Sequence, residues 1–286
     1  MLLLHGWPGS VVEFLDVVPR LVDPPASGGD AADALHVVVP SLPGHGFSGP
    51  TRTAGWDVRR IAAAFATLME RLGYDRYGVQ GGDWGAQIAT RLALLAPDRV
   101  AGLHLNLPLA SPPDSPGDLT DEERADLAAM TRFQREHAAY AAVHMAAPQT
   151  LGAALADSPV GLLAWIGERF ATWSDHDGDP LSVISRDQLL TNVMTYWVTG
   201  TITSSLRLYR ETAVGGALRE PLPFVEVPTG VARYPAESVL RFPRSWVERQ
   251  YRITRWTTPP QGGHFAAMEQ PATFADDVLA FFRTVR

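Results

Sequence analysis

The sequence predicts an α/β fold, in which a mostly parallel sheet carries an inserted helical cap. In residues 1–108, short apolar runs alternate with segments of helical periodicity, as is typical of a parallel sheet with helices on both faces. From residue 109 to 216 we find helical patterns and almost no strand, and strand patterns return from 217 to 286. We therefore predict a core formed by residues 1–108 and 217–286, and a helical cap formed by residues 109–216.

Hydrophobic periodicity predicts the elements of the first core segment. Apolar runs predict strands at residues 2–4, 36–39, 77–80 and 100–107. Helical spacing predicts helices at residues 13–21 and 57–72, and a third helix that contains Ile88, Leu92 and Leu95.

The predicted cap begins after a Pro- and Ser-rich loop at Ser111–Gly117. Three long helices are expected, two of which open with a capping box: Thr120-x-x-Glu123 to Tyr140, Pro159 to Trp173, and Ser185-x-x-Gln188 toward Tyr209. Strands at 224–227 and 253–257 and a closing helix at 271–283 complete the core.

The composition excludes several classes of protein. A net charge of -7 with no basic cluster argues against nucleic-acid binding. The chain has no cysteine, which excludes disulfides, thiolate catalysis and Cys-ligated zinc. No apolar run approaches the roughly 20 residues of a membrane span, and no signal peptide is visible, so we expect a cytoplasmic protein.

The segment Gly81-x-Asp83-x-Gly85 lies between a predicted strand and a predicted helix. This is the pattern of a nucleophile elbow, with Asp in place of the usual Ser. The flanking glycines allow a turn too tight for side chains, and such a turn exposes the central residue on a strained backbone. An ordinary turn before a helix explains the motif equally well when it stands alone.

A nucleophilic Asp83 requires an acid and then a histidine later in the chain, each on a loop after a strand. His264 follows the last predicted strand, and Glu237 lies on an earlier loop. His264 could also be a histidine beside a turn, and Glu237 a first-turn acid that complements a helix dipole. Because a helix N-terminus disfavours a cation, we expect a neutral His264 imidazole.

These motifs belong to a wider set of matching segments, at residues 5–10, 81–85, 157–162, 189–194, 196–202, 227–230, 242–246 and 262–269. Together they resemble the microsomal-type epoxide hydrolases of the α/β-hydrolase superfamily, which include juvenile hormone epoxide hydrolases and bacterial relatives. The resemblance spans nearly the whole chain and implies an α/β-hydrolase fold. Family members carry a substantial N-terminal segment before the loop at residues 5–9. We therefore expect a fragment, a misassigned start or a shortened variant, with an exposed sheet edge.

The resemblance implies that Asp83 is the nucleophile, His264 the base and Glu237 the acid that orients it. An Asp nucleophile suits an epoxide because it forms an ester, whose carbonyl carbon water can then attack. His264 would take a proton from that water. This chemistry implies no cofactor and no metal, and no ligand cluster for a metal is visible in the sequence.

Tyr140 and Tyr209 align with the two cap tyrosines that polarise the epoxide oxygen in the family. Tyr209 matches by its local sequence, and Tyr140 by its spacing to the Pro and Gly that follow it. The ester intermediate also needs backbone donors for its oxyanion, and we predict the N–H groups of Trp7 and Trp84.

The predicted ligands are a small apolar epoxide and water, and a homodimer is left open. Trp7, Trp84 and Trp197 suggest an apolar pocket, although core packing explains them too. One alternative is a haloalkane dehalogenase, which also uses an Asp nucleophile and a His base but needs no tyrosine pair. The other is a catalytically silent binding protein with this fold.

Overall fold

The structure is a computed structural model that describes residues 1–112 and 119–285, so most of the predicted loop at Ser111–Gly117 lies outside the described residues. A parallel sheet forms its centre, and the strands lie side by side in chain order. They are β1 (Leu2–Leu4), β2 (Tyr77–Gly81), β3 (Val100–Leu105), β4 (Val225–Ala232) and β5 (Tyr251–Thr257). The predicted parallel sheet is confirmed.

Helices connect the strands and cover the sheet. Before β4 they are α1 (Val18–Val22), α2 (Val58–Arg71), α3 (Asp83–Leu95), α4 (Asp121–Glu136), α5 (Ala139–Ala146), α6 (Pro148–Asp157), α7 (Pro159–Trp173), α8 (Arg186–Thr199) and α9 (Ile202–Val214). After β4 they are α10 (Arg244–Val247), α11 (Ala266–Glu269) and α12 (Pro271–Phe282). Helices α4 to α9 all lie in the connection between β3 and β4, where the helical insertion was expected.

Two apolar clusters cover opposite faces of the sheet. Leu2 and Leu4 belong to one cluster and Leu3 to the other, because successive side chains of a strand point to opposite faces. The first cluster includes residues of α2, α3 and the helical insertion, and the second includes residues of α1 and α12. Burial on both faces explains why β1 and β3 are largely apolar.

Two elements of the first core segment differ from the prediction. The predicted strand at 36–39 makes a single parallel bridge, between Val38 and Leu2, and is otherwise irregular. The predicted helix at 13–21 is divided into a 3₁₀ turn, Val11–Phe14, and α1. Pro19 accounts for this division, because proline lacks an N–H and fits only in the first turn of a helix.

Two of the long helices predicted in the insertion are each broken into two. Both capping boxes are present and open α4 and α8, and the helix Pro159–Trp173 is confirmed. The first predicted helix breaks at His137, and Tyr140 lies on α5. The third ends at Gly200, whose φ of 62° gives α8 a left-handed C-terminal cap. Each break precedes one of the two predicted tyrosines, Tyr140 on α5 and Tyr209 on α9.

Among the described residues, no single helix is long and apolar enough to span a membrane. Helices α6 and α7 reach that length and apolar character only as a pair, and the pair is bent by 118° at the break.

Candidate active site

The Asp83 side chain is presented at a strained turn between β2 and α3. Asp83 is the first residue of α3, and its φ of 48° is the one positive φ of a non-glycine among the described residues. The turn packs closely on β1, since a Cβ on Gly85 would lie 2.1 Å from the carbonyl oxygen of Leu4. The tight, strained turn predicted from the glycines is therefore present.

His264 lies between Asp83 and Glu237. Its Nδ1 lies 2.9 Å from Glu237 Oε2 and 3.2 Å from Oε1, and its Nε2 lies 3.6 Å from Asp83 Oδ2. The His264 and Glu237 side chains are only 4% and 5% exposed. Loops after β2, β4 and β5 supply the three residues, so the carboxyl ends of these parallel strands bring them together.

The loop that carries His264 is held by groups that the sequence analysis missed. Glu269, on α11, accepts hydrogen bonds from the backbone N–H groups of Gly263 and Phe265, both at 2.9 Å. The N–H of His264 itself donates to the carbonyl oxygen of Trp173 at 2.9 Å. The one signal for Glu269 was its place in the matching segment 262–269, which did not indicate a role.

The imidazole of His264 is surrounded by carboxylates. Burial lowers its pKa, but Glu237, Asp83 and Glu13 attract the cation and together raise the pKa to about 9. The expected neutral imidazole is therefore wrong for the unliganded chain. The nearby helix α11 has four residues, so its dipole is small beside three carboxylates.

Backbone N–H groups of Trp7 and Trp84 face the Asp83 carboxylate. Trp7 N donates to Asp83 Oδ1 at 2.8 Å, and the N–H of Trp84 also lies against this carboxylate. Burial raises the pKa of Asp83, whereas attraction to His264 and to the two N–H groups opposes the rise. The two backbone N–H groups predicted as oxyanion donors therefore both lie next to the Asp83 carboxylate.

Tyr140 on α5 and Tyr209 on α9 lie next to each other above Asp83. The Tyr140 ring stacks on Trp7 with centroids 5.5 Å apart, and the Tyr209 ring meets Trp84 edge-on at 4.7 Å. The buried Tyr209 hydroxyl lies close enough to the Tyr140 and Trp84 side chains for hydrogen bonding with them to affect its pKa. Burial raises the pKa of both hydroxyls far above the usual value, so both are protonated and available as donors at neutral pH.

A cavity of about 410 Å³ joins these groups to the surface. Asp83, Tyr140 and Tyr209 line it, and the other polar residues of its wall are Gln87, Gln134 and Arg135. Most of the remaining wall is apolar and includes Trp84, Leu107, Phe133, Met145, Leu218, Val239 and Leu240. A cavity of this size with few convergent polar groups suits a small, largely apolar organic molecule. Trp7 is fully buried beneath it, so packing accounts for that residue.

Helix α8 also reaches the site. Asn192 Nδ2 donates to the carbonyl oxygen of Pro8 at 2.8 Å, and the Tyr196 hydroxyl donates to that of Gly9 at 2.5 Å. Both contacts hold the loop that carries the Trp7 N–H. The matching segments 189–194 and 196–202 contain these residues, but nothing local indicated their partners.

Glu13, from the 3₁₀ turn after β1, lies close enough to affect the charge on His264 and Asp83, and sequence reasoning missed it as well. Across residues 1–112 and 119–285, no three His, Asp or Glu side chains are grouped so that they could hold a metal ion.

This chain is similar to known proteins in sequence and in fold. Residues 1–151 match a family described as the alpha/beta hydrolase fold. A protein of Stigmatella aurantiaca, provisionally named an epoxide hydrolase, is 48% identical over 292 residues, which cover 100% of this chain and 64% of that protein. Epoxide hydrolase 1 of Oryctolagus cuniculus is 37% identical over 98% of this chain and 67% of its own length.

A solved structure shows the same likeness in three dimensions. The crystal structure of juvenile hormone epoxide hydrolase from the silkworm Bombyx mori matches with a TM-score of 0.89 and 35% identity. The match covers 100% of this chain and 72% of that chain. The chain thus spans 64% to 67% of the length of the two curated relatives.

Proposed function

Because this chain belongs to the α/β-hydrolase fold family and, within it, to the epoxide hydrolases, we propose that it adds water to an epoxide to give a vicinal diol. One observation carries this proposal. Asp83 lies 3.6 Å from His264 Nε2 and lines a cavity that Tyr140 and Tyr209 also line. A nucleophile thus has an imidazole that can exchange protons on one side and two hydroxyl proton donors on the other.

The first step is ring opening. Oδ1 of Asp83 is held by the Trp7 N–H, so Oδ2 is the oxygen that attacks an epoxide carbon. The ring C–O bond breaks, and its oxygen takes a proton from Tyr140 or Tyr209. The products are a hydroxyalkyl ester on Asp83 and a tyrosinate, which then accepts the proton of the His264 imidazolium.

Loss of the Asp83 charge prepares the second step. The ester is neutral, so one of the attractions that raise the pKa of His264 disappears, and the lower pKa favours the neutral imidazole that can accept a proton. Water then gives a proton to Nε2 of His264 while its oxygen bonds to Cγ of Asp83. Oδ1 carries the negative charge, next to the N–H groups of Trp7 and Trp84.

Collapse of this intermediate releases the diol. The Cγ–Oδ2 bond breaks, and His264 returns its proton to the departing oxygen. The new Asp83 carboxyl then gives its proton to His264, which restores the starting charges. The diol therefore contains the former Oδ2, and the water oxygen stays in Asp83.

The test is replacement of His264 by Gln, because His264 acts on the ester and Asp83 forms it. Incubation of His264→Gln with styrene oxide should give one covalent adduct that is heavier by the whole epoxide mass, as measured by intact mass spectrometry. Asp83→Ala should give no adduct and no turnover. Glu237→Gln should slow ester hydrolysis more than ring opening, because Glu237 acts through His264.

Matched controls separate this proposal from its alternatives. His137→Gln changes an exposed histidine of the insertion and should leave turnover unchanged. If the chain were a haloalkane dehalogenase, the covalent adduct would add only the mass of the alkyl group without the halide, and it would form only with a haloalkane. A folded His264→Gln chain without an adduct on aryl, aliphatic and terpenoid epoxides would contradict the covalent mechanism. The cytoplasmic location and the homodimer stay predictions from the sequence.

A further inference from the structure

We propose that Glu13 positions the water that hydrolyses the Asp83 ester, an inference that rests on the proposed function. The residue lies in the 3₁₀ turn Val11–Phe14, directly after the loop that carries the Trp7 N–H. Glu13 retains some exposed surface, but its carboxyl group is enclosed by protein. Neither ring opening nor the orientation of His264 requires this third carboxyl group.

A small cavity links Glu13 to the reacting groups. It has a volume of about 10 Å³, and Glu13, Asp83, His264, Gln80 and Asn106 contribute to its wall. This volume is close to the roughly 10–15 Å³ that one water molecule needs. The cavity is separate from the 410 Å³ cavity, and Asp83 lines both. Water and epoxide can therefore approach Asp83 from different sides.

The wall of the small cavity offers hydrogen-bond partners for a water molecule. Gln80 is 1% exposed and its Nε2 donates to Asn106 Oδ1 at 2.9 Å, whereas its Oε1 has no partner among the described residues. A buried acceptor of this kind indicates a ligand that can donate a hydrogen bond. Buried water typically makes about three hydrogen bonds but can donate only two. In the ester stage one of these goes to the neutral His264 imidazole and the other to Glu13, and Gln80 Oε1 is a further acceptor on the same wall.

The backbone holds the Glu13 carboxyl group in one place. A Cβ on Gly9 would lie 1.5 Å from Glu13 Oε1, so the carboxyl group packs directly on the loop at Gly9. Tyr196 fixes the same residue through its hydrogen bond to the Gly9 carbonyl. Protonated or ionised, the carboxyl group keeps an oxygen that accepts a hydrogen bond from water. Its position, rather than its charge, is therefore the property that matters.

Three substitutions separate position from charge. Glu13→Gln keeps an acceptor oxygen in place, Glu13→Asp keeps the acid but withdraws its oxygens by one methylene, and Glu13→Met keeps the length without a good acceptor. Rapid-quench intact mass spectrometry with styrene oxide measures ester formation and ester decay separately. We expect Glu13→Asp and Glu13→Met to slow ester decay roughly 100-fold and to accumulate the ester, with ring opening changed less than about threefold.

Glu13→Gln should hydrolyse the ester within about tenfold of the unmodified chain, because one acceptor remains. Glu226→Gln, on the exposed side of β4, is the matched control and should change neither step. Equal slowing of ring opening and ester decay, unchanged decay in Glu13→Asp and Glu13→Met, or slow decay in Glu13→Gln alone would overturn the inference. If neither the unmodified chain nor His264→Gln reacted with any epoxide, the proposed function itself would be contradicted, and the inference about Glu13 with it.

Discussion

At the scale of the residue, His264 and Glu13 bind protons more tightly in the folded chain than in the unfolded chain. The pKa of His264 is raised from 6.5 to about 9, and burial raises that of Glu13 from 4.5 to about 8. When folding raises the pKa of a group, the bound proton stabilises the folded chain. This stabilisation is complete below the pKa of the unfolded chain and is lost as the pH rises through the pKa of the folded chain. We therefore expect the free energy of unfolding to fall from pH 4.5 to 8 through Glu13, and from 6.5 to 9 through His264.

Urea unfolding across this pH range measures the effect. In Glu13→Gln the decline between pH 5 and 8 should be shallower than in the unmodified chain, because the group that titrates there is gone. Glu226→Gln should keep the original pH dependence. An unchanged slope in Glu13→Gln would show that the Glu13 pKa is not raised in the folded chain.

The candidate site was partly predictable at this scale, and the limit is physical. Asp83 and His264 have local signals: Asp83 lies between glycines at the end of a strand pattern, and His264 directly follows two glycines on the loop after the last strand pattern. Glu13 and Glu269 have none, because an acid in a turn or a short helix is ordinary until its partners are known. The charge of His264 was predicted wrongly for the same reason, since it is determined by three carboxyl groups that are far from His264 in sequence and close to it in the fold.

At the scale of the element, Asp277 joins α12 to the sheet. Its carboxylate accepts from His104 on β3 at 3.1 Å, from Arg255 on β5 at 2.6 Å and from Thr257 on β5 at 2.9 Å. Burial alone would raise the pKa of Asp277, but these partners outweigh it and lower the pKa to about 2. Asp277→Ala should lower the free energy of unfolding by about 3 kcal/mol, because it leaves buried donors unpaired.

Denaturant unfolding of Asp277→Ala and of Asp276→Ala tests this role. Asp276 is the exposed neighbour on the same helix, so its removal should change stability by less than about 0.5 kcal/mol. Asp277→Asn should be less costly than Asp277→Ala because the amide oxygen still accepts one hydrogen bond. Equal stabilities for Asp276→Ala and Asp277→Ala would refute the attachment.

Elements with a strong period were predicted well, and the errors lie where one predicted helix is in fact two. Helix α2 and the capping boxes of α4 and α8 agree with the sequence pattern, because these signals are local. The breaks at His137 and Gly200 depend on how the insertion folds back over the sheet. The segment at residues 36–39 has the apolar pattern of a strand, but it makes one bridge, with Leu2. The apolar pattern of a segment does not show whether a neighbouring strand is in place to form backbone hydrogen bonds with it.

At the scale of the whole molecule, the helical insertion and the sheet share one site. The parallel sheet was predictable from the alternation of strands and helices, whereas the exact bounds of the cap, residues 109–216, stay a prediction. Side chains from α5, α8 and α9 meet the loop after β1, and their partners are more than 100 residues away in sequence. A local sequence pattern does not show which residues so far apart in the chain come into contact, so these contacts become visible only in the folded structure.

This arrangement makes Tyr196 a link between the insertion and the chemistry. Its buried hydroxyl donates to the Gly9 carbonyl, two residues from the Trp7 N–H that holds Asp83 Oδ1. Tyr196→Phe should lower the free energy of unfolding by about 1–3 kcal/mol, since the Gly9 carbonyl loses its buried partner. It should also lower epoxide turnover by about 10-fold to 100-fold, since the loop that positions the nucleophile can shift. Thermal unfolding and steady-state kinetics measure the two effects, with Tyr74→Phe, which removes a hydroxyl bonded to His36 far from the site, as the control. Reduced stability with full turnover would show that the Tyr196 hydroxyl supports the fold without positioning the loop that holds Asp83.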